Sequence, residues 1–193
     1  MACVVLDSSN TDLFVGIIQD DKIIDSVFYE CWQMQSEKMI VELDSLLQKH
    51  NLSKENIDSL IVSIGPGSYT GVRIAVTIAK VIAVALNCDI YTVSSLRILA
   101  KFDKPSICLI NARSDRSYFA VYYKNQVIIE DCIKQNSEVL DFIKEHPDYL
   151  VCGDAEYLGN HGFKENFIEQ FIALKPYLQK VDPLSIKPLY LKD

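Results

Sequence analysis

Few residues of this chain combine a type and a spacing that would support catalysis or metal binding. No helix carries two histidines at the i, i+4 spacing of a metal site, because the three histidines stand far apart: His50, His146 and His161. The sequence contains no Gly-x-Ser-x-Gly nucleophile elbow. Asp154 follows a glycine at a predicted strand end, but it is a lone carboxylate. The sequence therefore predicts no catalytic residue and no metal site.

A polar turn follows the first apolar run of the chain and consists of Asp7, Ser8 and Ser9, continued by Asn10 and Thr11. The actin-like and sugar-kinase-like ATPases place a phosphate-binding turn at this point. Their turns usually contain glycine, since a missing side chain lets backbone N–H groups reach a phosphate. Serine occupies that position here, so we interpret the turn as structural and held by its own hydroxyls. A vestigial phosphate turn is the alternative.

A glycine-rich turn connects a predicted strand to a long helix and contains Gly65, Pro66, Gly67 and Ser68, with Gly71 just inside the helix. No Gly-Lys-Ser/Thr follows, so the turn is not a P-loop, and it also lacks the dinucleotide-binding fingerprint. Ser68 is placed to cap the helix. We interpret the element as a structural turn that fixes the entry of the helix or seats a partner.

The elements that carry these turns follow from hydrophobic periodicity. The first half is predicted to contain strands at Cys3 to Leu6, Leu13 to Ile18, Ile23 to Tyr29, Asp58 to Ile64 and Ile90 to Val93, with helices at Met34 to His50, from Ser68 to about Asn87, and from Ser94 or Ser95 to Phe102. The antiparallel opening followed by alternating helices and strands predicts an α/β fold.

A second unit follows the stretch Phe102 to Ser106, so we predict lobes at 1–103 and 104–193. The second unit is predicted to contain strands at Ile107 to Ile110, Tyr118 to Tyr123, Gln126 to Asp131 and Tyr149 to Cys152, with helices from Ser137 to before Pro147 and at Glu165 to Ala173. The proline-rich tail should be extended, with Leu189 to Leu191 docked on the protein. Strands followed by helices in both halves suggest two related lobes.

The two long helices carry more apolar side chains than one buried face needs. On the first helix, the apolar arc predicted to face the sheet contains Met39, Ile40, Leu43, Leu46 and Leu47. Met34 and Val41 lie on the opposite side, near Lys38. On the second helix the predicted inner face contains Ile74, Ala75, Ile78, Val81, Ile82, Ala85 and Leu86. The predicted outer face contains Tyr69, Arg73, Val76, Thr77, Lys80, Ala83 and Val84. Outer faces that are half apolar are best explained by burial against another chain.

Composition narrows the function further. The chain has 193 residues and a net charge of −7, without the basic stripe that a protein gripping nucleic acid alone usually shows. No apolar run of about 18 residues is free of polar breaks, which argues against a membrane span. No signal peptide is recognisable at the N-terminus. We therefore expect a cytoplasmic protein that reaches any RNA only through a partner.

The sequence resembles the TsaB (YeaZ) family along its whole length. The family signature is similar to the run from Gly65 to Lys80, which reads GPGSYTGVRIAVTIAK. Further similar segments occur in the expected order: VVLDSSNTDLFVGI, SEKMIVELDSLL, VSSLRILA, NARSDRSYFAVY, VCGDAEYL and KPLYLKD.

The resemblance implies a two-lobed actin-like/sugar-kinase-like fold of the ribonuclease H-like type. It further implies a dimerisation subunit that pairs, through its first two helices, with the catalytic subunit TsaD in the bacterial synthesis of threonylcarbamoyladenosine in tRNA. The ATPase TsaE is a further implied partner, and a homodimer is implied for the isolated chain. No cofactor is implied for the chain by itself, and a nucleotide only within the complex.

The leading hypothesis is a non-catalytic scaffold. Its predicted partner interface consists of Met34, Lys38, Val41, Tyr69, Arg73, Val76, Lys80 and Ala83. A small ATPase or kinase of the same fold is the first alternative, disfavoured by Ser8 and Ser9 in the phosphate turn. A glycoprotease-type metallopeptidase is the second, disfavoured by the absence of paired histidines.

Overall fold

A five-stranded sheet forms the first lobe of the computed structural model, which describes residues 1–164 and 168–191. Its strands are β1 (Ala2–Asp7), β2 (Asp12–Gln19), β3 (Lys22–Glu30), β4 (Ile57–Ser63) and β5 (Asp89–Val93). They are ordered β3-β2-β1-β4-β5. The first three strands form an antiparallel meander, while β4 and β5 run parallel to β1. The five strands predicted for this half are thus confirmed.

Two helices cover one face of this sheet, α1 (Gln35–Lys49) and α2 (Tyr69–Leu86). Alternate strand residues, such as Val4 and Leu6 of β1, point into the core beneath them. The apolar arc predicted for α1 is largely confirmed, since Met39, Leu43, Leu46 and Leu47 are buried.

The second lobe repeats the arrangement with four strands and one helix. Its elements are β6 (Ser106–Arg113), β7 (Arg116–Tyr123), β8 (Gln126–Gln135), α3 (Asn136–Glu145) and β9 (Leu150–Gly153). The strand order β8-β7-β6-β9 matches β3-β2-β1-β4 of the first lobe, with β9 parallel to β6. The expectation of two related α/β lobes is therefore confirmed.

The end of the chain returns to the first lobe. A short helix, α4 (Ile168–Leu174), packs on the face of the first sheet opposite to α1 and α2. Its buried Phe171 stacks on Phe14 of β2 with ring centroids 5.6 Å apart. The segment predicted as part of the second lobe, 104–193, therefore includes residues that pack on the first sheet.

One predicted helix differs from the structure, while the helix predicted at Glu165 to Ala173 is confirmed from Ile168 onwards as α4. The helix predicted from Ser94 or Ser95 to Phe102 is only one 3₁₀ turn, Arg97–Leu99. The side chain of Ser94 accepts hydrogen bonds from the N–H groups of Leu96 and Arg97, as a helix cap does. The helix nevertheless ends after one turn, because the backbone is extended at Ala100 and the Lys101 N–H donates to the Ser106 hydroxyl of β6. Of the helix predicted from Glu165, the first three residues lie outside the described part of the chain.

By length and composition alone, α2 could cross a membrane, since its 18 residues have a mean hydropathy of 1.7. A core helix of a globular protein passes the same test. One stripe of α2 packs against the first sheet, so part of the hydrophobicity of this helix is explained by its place in the core.

Candidate functional site

The buried stripe of α2 differs from the predicted one. The buried residues are Gly71, Val72, Ala75, Val76, Ala79 and Ala83. Val76 is only 3% exposed and Ala83 only 1%. Their predicted place on an outer face is therefore wrong, since both side chains are buried within the chain.

The physical reason is the size of the side chains that face the sheet. Gly71, Ala75, Ala79 and Ala83 are small, so α2 packs closely on the sheet and on the turn after β1. Larger apolar residues predicted to point inward are displaced to the flank, and Val81 is 62% exposed. The face of α2 that is buried is thus the one whose small side chains let the helix backbone come close to the sheet, and not the one with the largest apolar side chains.

The helix-pair surface, as we call the outward sides of α1 and α2, is rich in exposed apolar groups. Its members are Met34, Ile40, Val41, Tyr69, Thr70, Arg73, Thr77, Val81 and Val84. Val41 is 54% exposed and Val84 is 55% exposed. Sequence reasoning placed Val81 and Ile40 on the inner faces and so missed them as surface residues.

Most of the remaining predicted interface residues are accessible. Met34, Val41, Tyr69 and Arg73 are exposed, and Lys38 is half-buried. Their contact with a partner stays a prediction.

Lys80 is engaged within the chain. Its Nζ donates hydrogen bonds to the carbonyl oxygens of Leu184 and Ile186, at 3.2 and 3.1 Å. The ammonium group therefore holds the C-terminal tail in this structure.

The polar turn after β1 is closed from both sides. The Asp7 carboxylate is buried and accepts hydrogen bonds from the Ser63 hydroxyl and, at 3.0 Å, from the Ser9 N–H. Burial raises the pKa of Asp7 above its ordinary value. The Ser8 hydroxyl donates to the carbonyl oxygen of Gly71 at 2.8 Å. Each of these groups has a partner inside the protein, which favours the structural interpretation of the turn.

The start of α2 lies in direct contact with the polar turn. The Ser68 N–H donates to the Ser9 carbonyl oxygen at 2.6 Å, and the Ser68 hydroxyl caps the helix by accepting from the Gly71 N–H. A Cβ on Gly71 would overlap the Ser8 carbonyl oxygen, so glycine is required for this close contact. The glycine-rich element, Gly65 to Ser68 with Gly71, is thus a structural turn that docks α2 on the polar turn.

A cleft of about 650 Å³ separates the two lobes beside this contact. It is lined by Asn10, Thr11, Trp32, Gly67, Ser68, Tyr69, Thr70, Ile110, Asn111, Ala112, Arg113, Tyr118 and Asp154. The Asn10 amide donates to Asp154 at 2.9 Å and so joins the two lobes at its floor.

The carboxylates near the cleft are bound within the chain. Lys164 pairs with Asp154 at 2.9 Å. Burial, with a further contribution from the Asp154 charge, raises the pKa of Asp12. Among the residues that the structure describes, no three His, Cys, Asp or Glu side chains cluster in a way that could hold a metal ion. The cleft thus has polar walls, but its acidic groups form ion pairs and hydrogen bonds of the protein itself.

Comparison with known proteins gives a consistent result. The family described as "TsaD: tRNA N6-adenosine threonylcarbamoyltransferase" matches residues 31–157 of the chain. The tRNA threonylcarbamoyladenosine biosynthesis protein TsaB of Bacillus subtilis is 32% identical over 181 residues, which covers 84% of this chain and 79% of that protein.

Solved structures agree on the fold. An uncharacterised protein of Pseudomonas aeruginosa, described as similar to the peptidase YeaZ, superposes with a TM-score of 0.85 at 19% identity and covers 99% of both chains. YeaZ from Pseudomonas aeruginosa superposes with a TM-score of 0.75 at 17% identity, covering 98% of this chain and 99% of that one. The predicted actin-like, ribonuclease H-like fold is thereby confirmed.

Proposed function

The chain belongs to the TsaB (YeaZ) family, and from this premise we propose that it is a non-catalytic dimerisation subunit. It pairs with a TsaD-type threonylcarbamoyltransferase and supports the formation of threonylcarbamoyladenosine in tRNA. The relatives that carry the TsaB name place the family in this biosynthetic pathway. The scaffold role and the pairing are our proposal.

The observation that carries the proposal is the helix-pair surface. Val41, Val81 and Val84 are each more than half exposed on two adjacent helices of the first lobe. Several exposed aliphatic side chains on neighbouring helices indicate a surface that is buried in an assembly.

The second support comes from the polar turn. An ATPase or kinase of this fold needs free N–H groups and a free carboxylate where Asp7, Ser9 and Ser68 bond to one another. This closure disfavours autonomous nucleotide chemistry and is consistent with a subunit that acts through its partner.

In the proposed assembly, docking of α1 and α2 stabilises the partner's catalytic conformation. The TsaE-type ATPase joins the complex, and tRNA and any nucleotide bind only within it. The isolated chain forms a homodimer through the same helices. We expect all of these components in the cytoplasm.

The test is a pair of substitutions on the exposed sides of the helices. We expect Val41→Glu together with Val84→Glu to weaken binding to the purified TsaD-type partner at least about 100-fold, since two charges would be buried without a partner. Binding is measured by isothermal titration. The modification of tRNA is measured in parallel by mass spectrometry of its nucleosides.

The control is Ile128→Glu on β8, where an equally exposed aliphatic side chain lies in the other lobe. It should leave affinity and modification unchanged. Binding by the double variant with wild-type affinity would contradict the proposed interface. Full modification without this chain would contradict the proposed function.

A further inference from the structure

The last residues of the chain form a strap that crosses α2. We call residues 183–190 the C-terminal strap. Ile186 is buried in the core beneath α2, and the Leu189 N–H donates to the Ile64 carbonyl oxygen at 2.6 Å. Lys80 holds two strap carbonyl oxygens, as described above. The strap is therefore fixed to the first lobe at three separate points.

The strap ends on the helix-pair surface. Tyr190 stacks on Tyr69 with ring centroids 5.1 Å apart. The guanidinium carbon of Arg73 lies 4.0 Å from the Tyr69 centroid and 5.7 Å from that of Tyr190. The Arg73 Nε donates to the Tyr190 hydroxyl at 2.6 Å. Two phenol rings and a hydrogen bond thus fix the orientation of one exposed arginine.

The charge of this arginine is not neutralised within residues 1–164 and 168–191. Its interactions there are with Tyr190 and Tyr69, and neither is a carboxylate. Arg73 and Lys80 are the only charged residues of α2, in a chain whose net charge is −7. A cationic helix on an acidic protein is complementary to an acidic patch on a binding partner.

We propose that the C-terminal strap completes the partner-binding surface, with Tyr190 as a positioning residue. Tyr190 orients the Arg73 guanidinium, so that the terminal N–H groups of Arg73 donate hydrogen bonds to a carboxylate of the catalytic subunit. The proposal rests on the proposed function, because it assumes that this subunit docks on α1 and α2. Tyrosine and arginine side chains fixed in this manner are frequent energetic centres of interfaces.

The experiment compares four variants by titration with the TsaD-type partner at low and high salt. We expect Tyr190→Ala and Arg73→Gln each to weaken binding about tenfold. The combined variant should be no weaker than the more severe single one, since the two side chains act as one unit. Tyr190→Phe keeps the stacked ring and loses the hydrogen bond, so a smaller loss of about threefold is expected. Wild-type binding should weaken with salt more steeply than binding of Arg73→Gln.

The matched control is Tyr177→Ala, which removes an exposed tyrosine just before the strap and should leave binding unchanged. Binding of Tyr190→Ala with wild-type affinity would overturn the proposal. Tighter binding would also overturn it, because the strap would then compete with the partner for the surface. A loss confined to the homodimer would also overturn it.

The two proposals fail in different ways. If the wild-type chain does not bind the partner, the proposed function is wrong. If the wild-type chain binds, the Val41→Glu, Val84→Glu variant does not, and Tyr190→Ala binds normally, only the role of the strap is wrong.

Discussion

The two lobes have the same strand order but differ in the helices that cover their sheets. In the first lobe, α1 and α2 expose large apolar side chains, among them Val41, Val81 and Val84. In the second lobe, none of the apolar side chains of α3 is exposed. The two lobes thus share a sheet topology, while the exposed apolar surface of the helices lies in the first lobe.

The turn between the first two strands also differs between the two lobes. The turn after β1 lies under the start of α2, which follows β4. In the second lobe, the element that follows β9 directly is the 3₁₀ turn Glu156–Leu158. Arg113 at the end of β6 is exposed, as are Ser114 and Asp115, which connect β6 to β7. The turn of the first lobe is thus covered by the helix after the fourth strand, whereas the turn of the second lobe is exposed.

The largest expected effect tests the two sides of α2 against each other. Val76→Glu should destabilise the fold by about 3–5 kcal/mol, because it places an unpaired carboxylate in the core under the helix. Val84→Glu on the exposed side should change the stability of the monomer by less than about 0.5 kcal/mol at protein concentrations too low for the homodimer to form. Chemical denaturation followed by circular dichroism measures both. Equal stability of the two variants would contradict the assigned orientation of α2.

A smaller effect tests the closed turn of the first lobe. Gly71→Ala should cost about 2 kcal/mol, since the added methyl group overlaps the Ser8 carbonyl oxygen and the helix must shift. Its counterpart in the second lobe is Gly159→Ala. Nothing lies within 4 Å of a Cβ at Gly159, so the only cost is the left-handed φ of 72°. An alanine in this conformation should lower the free energy of unfolding by about 1 kcal/mol. A smaller cost at Gly71 than at Gly159 would show that the contact is looser than described.

The smallest effect concerns the end of α1. Asp25 of β3 accepts hydrogen bonds from His50 at 2.9 Å and Lys49 at 2.6 Å, which lower its pKa from 3.8 to about 2. Because the folded-state pKa is the lower one, the carboxylate contributes stability above pH 3.8 that is lost as the pH falls towards 2. Asp25→Asn should therefore lower stability at pH 7 by about 1 kcal/mol and flatten the acid side of the profile.

The control for this variant lies on the helix of the second lobe. Asp141 pairs with Lys144 at 3.0 Å, and both side chains are well exposed. Asp141→Asn should change stability by less than about 0.3 kcal/mol. Thermal unfolding between pH 2 and 7 compares the two variants. An unchanged acid profile for Asp25→Asn would contradict the assigned role of the pair.

The sequence was a good guide to the strands and to the apolar arc of α1, since alternation and the helical period directly reflect burial. It was a poor guide to α2. Nearly every face of that helix is apolar, so periodicity could not select among them. The decisive residues were small ones, including Ala79 and Ala83, which gain their importance from contact with the sheet. The helix predicted to reach Phe102 ends after the 3₁₀ turn Arg97–Leu99, because the chain becomes extended at Ala100 and the Lys101 N–H bonds to Ser106 of β6, a contact without a local sequence signal.

The sequence by itself determined the α/β class, the two related lobes, the capping of α2 by Ser68 and the family, because these depend on local patterns and on order along the chain. Only the tertiary structure decided which side of α2 is free, that the polar turn is closed, and that Tyr190 reaches Arg73. Those features join residues as far apart as 73 and 190. Such contacts depend on how closely two backbones approach, and no local pattern in the sequence encodes that distance.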